Sequence, residues 1–320
     1  MKILAIGDMH VKASNLHITD RVMSEIANII AQNNIDIAVV LGDMSDTFET
    51  VHLSALTAIE SYLIKLSSMV PTYYVVGNHD AINNRIYQTD EHFFRFFKHI
   101  PNLFIIDKAI TETIEGRSIT FCPYVEPGRF LEAIKPVGGL SSHLIFAHQE
   151  FGGVQMGPIT SKSPDLWRPD WPQVVSGHIH EAGEYFGGKV RYVGAPFQTN
   201  FGENNNKCVE IIDLNDLSFT KIKLKVPQKI KINTSATSAA LLDLDPLHEY
   251  KINITDTAAN IELFKRGPFY LKSGHKFGFI VADKTVVKRV KRGLSYIDIL
   301  RAAAKINDLA EVLEGVLNDG

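Results

Sequence analysis

The chain has 320 residues, of which 45% are apolar and 22% charged, and its formal net charge is −3. That length suits two domains better than one core, and the composition is that of a globular protein rather than a disordered or fibrous one. No apolar run approaches the roughly 18 residues of a membrane span, the amino terminus has no signal-peptide pattern, and Cys122 and Cys208 stand far apart on apolar stretches; a membrane protein, a disulfide scaffold and a zinc finger are therefore not expected, and a reducing cytoplasm is.

Charge is uneven along the chain. Residues 221–320 carry 17 Lys and Arg against 11 Asp and Glu, a balance of +6, which leaves −9 on residues 1–220. An acidic half joined to a basic half suits an enzyme that acts on a polyanion, although solvated surface faces would produce the same imbalance.

Apolar runs at 2–7 and 36–41 read as buried strands. Between them Thr19 is placed to cap a helix ending near Asn33, with Val22, Ile26, Ile29 and Ile30 on one face. A second helix over about 51–67 leads into the strand Tyr73-Tyr74-Val75-Val76. An aromatic-rich helix follows (Phe93, Phe94, Phe96, Phe97), suited to its own core or to a homodimer seam. Strands are expected near 103–107, 118–123, 143–147, 173–176, 189–194 and 207–213. Lys221 to Val226 alternates like a half-exposed strand that Pro227 closes. The expected domains are 1–226, a small α+β unit over 227–292, and a helical segment over 293–320.

Chemistry-bearing side chains collect at the carboxyl ends of these strands. The blocks are Gly7-Asp8-Met9-His10, Gly42-Asp43-Met44-Ser45-Asp46, Gly77-Asn78-His79-Asp80, Ala147-His148-Gln149 and Gly177-His178-Ile179-His180. They offer two carboxylates, one amide oxygen and four imidazoles, with His79 left over. Two adjacent divalent transition metals need that mixture of hard oxygens and borderline nitrogens, with one acidic group able to bridge. Asp8 and His10 are two apart and so point to one side of an extended chain. Asp43 is the candidate bridge, above a tight turn that Gly42 permits. Asp46 reads as an orienter of a ligand or as a loop cap. His79, next to Asn78, must point elsewhere, which makes it the candidate general acid, with Asp80 as the group that fixes its tautomer. Any one of these blocks alone is an ordinary polar turn or core histidine; five in this order imply a metal-dependent phosphoester hydrolase. The other seven histidines have no such context and are read as surface or packing residues.

In this order the five blocks resemble the signature of calcineurin-like metallophosphoesterases, over about residues 1–200. The resemblance implies a four-layer α/β/β/α sandwich with a smaller α+β capping domain and a C-terminal helix. It implies one metal on Asp8, His10, Asp43 and His180, a second on Asp43, Asn78, His148 and His178, and water activated between them, with His79 at the leaving group. Tyr192-Val193-Gly194-Ala195-Pro196 and the following Phe201-Gly202-Glu203 further resemble a stretch of SbcD-type DNA repair nucleases. Ala195 replaces the usual Ser there, and Ser45 stands where an aromatic residue is common. This narrower resemblance implies a manganese-dependent nuclease, with magnesium as the other candidate, acting on DNA as exonuclease and endonuclease. It also implies an SbcC-type coiled-coil ATPase partner, a homodimer, and a bacterial cytoplasm or an infected host cell.

Lys284, Lys288, Arg289, Lys291 and Arg292 form a basic cluster suited to phosphate contacts, or to a solvated strand face. A final helix over about 295–317 would place Ile299, Ala303, Ile306, Ala310, Leu313 and Leu317 on one stripe, to pack on its own domain or dock the ATPase. The alternatives to a nuclease are a phosphodiesterase for small or cyclic nucleotides, and a non-catalytic scaffold on the same fold.

Overall fold

The computed structural model describes residues 1–272 and 274–282. In chain order its elements are β1 (Lys2–Ile6), α1 (Leu16–Asn33), β2 (Ile37–Val40), α2 (Leu53–Met69), β3 (Thr72–Val75), β4 (Leu103–Ile106), β5 (Ile110–Ile114), β6 (Arg117–Cys122), α3 (Phe130–Ile134), β7 (Leu144–Ala147), the short pair β8 (Gln155–Met156) and β9 (Ile159–Thr160), β10 (Gln173–Ser176), β11 (Gly183–Tyr185), β12 (Val190–Tyr192), β13 (Cys208–Asp213) and β14 (Ser218–Lys223). A second set follows: β15 (Lys229–Thr234), α4 (Ala236–Ala239), β16 (Glu249–Asp256), α5 (Ala258–Lys265), α6 (Pro268–Lys272) and β17 (Lys276–Val281). The chain divides into two compact units between Val226 and Pro227. No helix among the described residues is long and apolar enough to cross a membrane.

The first unit is built from two six-stranded sheets, ordered β14-β13-β1-β2-β3-β4 and β11-β12-β10-β7-β6-β5. Strand alternation explains how they stack. Ile3 and Ala5 of β1, Val39 of β2 and Val75 of β3 point inward and meet Phe121 of β6, Phe146 of β7 and Val175 of β10 in a core between the sheets. Leu4, Ile6, Ala38 and Val40 point the other way and pack under α1 and α2. Ile145, Ala147 and Val174 of the second sheet pack on its far side with Phe130, Phe151 and Trp167. The result is the four-layer α/β/β/α arrangement.

Three local expectations change. Helix α1 begins at Leu16, so Thr19 lies inside it; its hydroxyl donates to the carbonyl of Leu16 and pairs with Tyr62 Oη at 2.9 Å. The Phe93–Phe97 segment is a single 3-10 turn in which Phe94 and Phe97 fill the core beneath Tyr74. The strand placed over residues 221–226 is β14, shifted back to Ser218–Lys223, because its register is set by pairing Cys208 with Lys223.

The core strands β1 to β4 run parallel, as do β6, β7, β10 and β12. Their carboxyl ends therefore lie side by side, where open sheets place ligands. Ile6 pairs with Val40 and Val40 with Tyr74, which lines up the loops that begin at Gly7, Leu41 and Val76. In the other sheet Ser176 pairs with Ala147, which sets the loop at His148 beside that at Gly177.

In the second unit β15, β16 and β17 form a parallel sheet with helices between successive strands. Tyr250, Ile252 and Ile254 of β16 face a core with Ile261 and Phe264 of α5. Lys284, Lys288, Arg289, Lys291, Arg292 and the helix expected over 295–317 lie outside the described residues.

Candidate metal centre

Each ligand candidate follows its strand by one to four residues, so both sheets feed one buried cluster. Asp8, His10, Asp43, Asn78 and His148 are at most 3% exposed. The loops cross so closely that side chains are excluded at several glycines, Gly42 and Gly177 among them. A Cβ on Gly42 would lie 2.5 Å from His148 Nδ1, and one on Gly177 would lie 2.3 Å from the Leu41 carbonyl oxygen. His10, Asp43 and His178 themselves hold left-handed φ of 43°, 49° and 77°. Three non-glycine residues in that region within one cluster mark a backbone bent to aim its side chains.

The hydrogen bonds show which atoms face inward. His148 Nδ1 lies 2.6 Å from the Leu41 carbonyl, which can only accept, so the neutral ring carries its lone pair on Nε2. That Nε2 lies 3.0 Å from Asn78 Oδ1 and 3.3 Å from Asp43 Oδ2. His178 Nδ1 also faces Asn78 Oδ1, at 2.9 Å, and Asn78 is fixed by its amide nitrogen, which donates to Asn84 Oδ1 at 3.0 Å. On the other side His10 Nε2 and His180 Nε2 are 2.9 Å apart, with Asp8 Oδ2 3.9 Å from His180 Nε2 and Asp43 Oδ2 4.0 Å from His10 Nε2. Asp8 is held by the His178 amide, which donates to Oδ2 at 2.9 Å.

Lone pairs thus converge on two small volumes, with Asp43 next to both. Among the described residues three overlapping sets have ligand atoms within 4.8 Å of one another: Asp8, His10 and His180; His10, Asp43 and His79; Asp43, His148 and His178. Converging acceptors without a donor require a cation, so the donor set fits two divalent metals. Burial opposes charge on His148, but Asp43 outweighs it and pushes the imidazole up to about 9. The same pairing with His148, against burial, holds Asp43 below the usual carboxylate range. Burial pushes His10 down to about 4 despite Asp43, leaving a neutral ring available as a ligand. Metal loading must therefore displace a proton.

His79 departs from its sequence expectation in one respect. Its amide donates to Asp43 Oδ1 at 2.8 Å, and its ring Nδ1 lies 2.9 Å from the main-chain carbonyl of Asp46. Phe48 stacks on the ring at 4.4 Å. Asp80 does not set the tautomer of His79. Its side chain turns the other way and accepts from the amides of Asp43, Ser45 and Gly77 and from Tyr74 Oη at 2.6 Å. Burial, with Asp43 nearby, raises Asp80 to about 6. Asp46 also reaches His10, with Oδ1 3.7 Å from Nδ1, while pairing with Lys12 at 3.1 Å.

Two carboxylates beside the cluster were given no role by the sequence reading: Glu203, quoted there only within a resemblance, and Glu150. Glu203 Oε1 lies 3.2 Å from His180 Nδ1, and Glu203 also accepts from Thr199 and pairs with Lys207 at 2.7 Å. Burial opposes this carboxylate, yet those partners hold it down at about 2. Glu150 Oε2 lies 3.6 Å from His178 Nε2, and Ser161 donates to its other oxygen. The one sequence signal for Glu150 is its place two residues after His148. Two clefts open beside the cluster. One of about 580 Å³ is lined by His79, Arg85, Tyr124, Glu126 and Glu150 among others; one of about 380 Å³ is lined by Pro158, Ile179, Glu181 and Glu203. Met156 and His178 border both.

The sequence profile of the calcineurin-like phosphoesterase family matches residues 1–206. "Putative phosphoesterase 078R" of Invertebrate iridescent virus 3 is 30% identical over 97% of this chain and 90% of its own length. "Putative phosphoesterase 244L" of Invertebrate iridescent virus 6 is 35% identical over 82% of this chain and 96% of its own length. Among solved structures, an archaeal phosphodiesterase aligns with a TM-score of 0.38 at 14% identity, covering 69% of this chain and 99% of the other. With a matching profile over most of its first unit and its strand-end ligands gathered into one cluster, the chain belongs to the calcineurin-like phosphoesterase family and is a metal-dependent phosphoester hydrolase.

Proposed function

We propose that this hydrolase is a DNA nuclease that uses two divalent cations, manganese in the first place, as exonuclease on duplex ends and endonuclease on single strands. The observation that carries the reading is the pair of clefts meeting at His178 and Met156. A chain substrate needs a path on both sides of the scissile phosphate, whereas a small ester needs one. Two further features support it. Thr199 and Glu203, from the stretch that resembles SbcD-type nucleases, are bonded to each other and to His180. In the second unit the strand register sets Lys231 opposite Lys251 and Lys251 opposite Lys276. A row of lysines across three strands suits contact with a phosphate backbone.

Asp8, His10, Asp43 and His180 would hold one cation, and Asp43, Asn78, His148 and His178 the other. Bound there, the cations supply charge neutralisation at the phosphate and a water of lowered pKa. The protein's part is orientation and proton transfer. Leu41 and Asn84 fix the ring of His148 and the amide of Asn78. His79 lines the larger cleft with Nδ1 tied to Asp46, so it exchanges its proton at Nε2, where it can protonate the leaving oxygen. Residues 293–320 are proposed to dock an SbcC-type coiled-coil ATPase.

The second reading is a phosphodiesterase for small or cyclic nucleotides, favoured by the volume of the larger cleft, about 580 Å³, which falls in the range of small-ligand sites. Cleavage of end-labelled linear duplex DNA, with manganese, magnesium or chelator, decides between them when a chromogenic phosphodiester and cyclic AMP are run alongside. Manganese-dependent release of nucleotides from DNA ends is expected. Hydrolysis of the small esters with DNA intact would overturn the nuclease reading. Deleting residues 293–320 is expected to abolish co-purification with the ATPase and to spare intrinsic cleavage; an unchanged complex would remove the docking role.

A further inference from the structure

We infer that Glu203 and Glu150 are positioning residues, each locking one histidine in the tautomer that a single cation requires, so that each carboxylate governs the loading of a different metal. The inference rests on the two-cation reading of the cluster and concerns residues that supply no ligand in that reading.

His178 and His180 are two apart on one loop, yet they present different atoms to the cluster. His178 turns Nδ1 inward, 2.9 Å from Asn78 Oδ1 and 3.3 Å from His148 Nε2. His180 turns Nε2 inward, 2.9 Å from His10 Nε2. A neutral imidazole has one N–H and one lone pair, so opposite nitrogens must carry the proton in the two rings. A carboxylate stands at each outward nitrogen, within hydrogen-bond distance of His180 and at ion-pair distance from His178. Glu203 Oε1 stands 3.2 Å from His180 Nδ1, and Glu150 Oε2 stands 3.6 Å from His178 Nε2.

Both carboxylates are themselves fixed. Glu203 accepts from the Thr199 hydroxyl and amide and from Asn200, and it pairs with Lys207. Glu150 accepts from the Ser161 hydroxyl. A negative charge on the far side of an imidazole also makes its lone pair a better donor to a cation. Because His180 belongs with Asp8 and His10 while His178 belongs with Asp43 and His148, the two pairs act on opposite ends of the cluster.

The test is manganese binding by the full chain, followed by calorimetry and by electron paramagnetic resonance of the coupled pair. Wild type is expected to bind two manganese ions and to show a spin-coupled signal. Glu203→Ala is expected to weaken one ion by about 10–100-fold and to leave an isolated-ion spectrum at limiting metal. Glu203→Gln, which keeps an acceptor at the same place, recovers most of that loss. Glu150→Ala does the same to the other ion, and Glu150→Gln rescues it. Adding Glu203→Ala to His180→Ala costs nothing further, because the ring that it orients is gone. Glu150 is partly exposed, so its variants decide the matter even if Glu203→Ala does not fold. Alanine variants that bind two ions with wild-type affinities would overturn the inference while leaving the metal centre intact. Wild type that binds no manganese would overturn the two-cation reading itself.

Discussion

The Nδ1 atom of His148 lies 2.6 Å from the carbonyl oxygen of Leu41, a bond between the end of one sheet and the end of the other. It joins β7 to β2 at the point where both strands stop, and it decides which nitrogen of His148 faces Asp43 and Asn78. A scaffold contact and the protonation pattern of a metal ligand are here the same interaction.

That closeness makes Gly42 intolerant of any side chain. Its φ is +97°, and an added Cβ would meet His148 Nδ1 at 2.5 Å and Gly77 Cα at 2.9 Å. Gly42→Ala is expected to lose at least about 1–3 kcal/mol of stability and to weaken metal binding. Chemical denaturation with and without manganese checks this; a stable variant with normal metal affinity would show that the loops can part without cost.

His79→Ser is expected to lower kcat by about 10²–10⁴-fold while both manganese ions remain bound. The ring adjoins His10 and Asp43 closely enough to be a ligand instead, so metal stoichiometry is the informative measurement. Loss of an ion along with activity would reassign His79 to the metal.

Asp80→Asn tests a different role for the neighbouring residue. The carboxylate collects three amides and the Tyr74 hydroxyl, and an amide would turn a donor toward some of them. About 2–3 kcal/mol of stability is expected to be lost, read as a lower urea midpoint. Normal stability with an altered pH profile of turnover would make Asp80 the partner of His79 after all.

Removing metal is expected to destabilise the first unit. The cluster turns acceptors of Asp43, Asp8 and the imidazoles toward one another, and bound metal at about 100 times its Kd would add about 2.7 kcal/mol per site. Calorimetric scans in chelator and in manganese should therefore differ in Tm by several degrees or more. Superimposable scans would mean that the cluster does not bind the ion in the folded state.

Away from the site, Asp107 accepts from His92 at 3.2 Å and pairs with Lys98. Burial opposes its charge, but those two partners hold it below the usual carboxylate range. A depressed folded pKa stabilises the protein above the unfolded value of about 3.9, and that stability is lost as pH falls through the folded value. Asp107→Asn should thus be less stable than wild type at neutral pH, with the gap closing in acid. A gap that stays constant with pH would show that the charge is irrelevant.

Much of the site was legible in the chain because strand ends and ligand chemistry are both local. Asp8 and Asp43 follow apolar runs that could only be buried strands, and parallel strands put their carboxyl ends at one edge. Thr19 and Asp80 were misjudged for a common reason: each has a side chain that suits a nearby role, and each was taken by a distant one. Thr19 reaches Tyr62, and Asp80 reaches back to the amides of Asp43 and Ser45. Local propensity cannot see such partners, because loop crossings decide them.

By itself, then, the order of residues determined the α/β class, the strand ends that carry carboxylates and imidazoles, and their fitness for divalent metals, since periodicity and ligand chemistry do not depend on distant contacts. Only the tertiary structure decided which nitrogen of each histidine faces inward. Leu41 faces the outer nitrogen of His148 and Glu203 that of His180, while Glu150 stands at ion-pair distance from that of His178, all from separate points on the chain. A tautomer is chosen by what stands on the far side of the ring, and that group arrives there only when the two sheets close on each other.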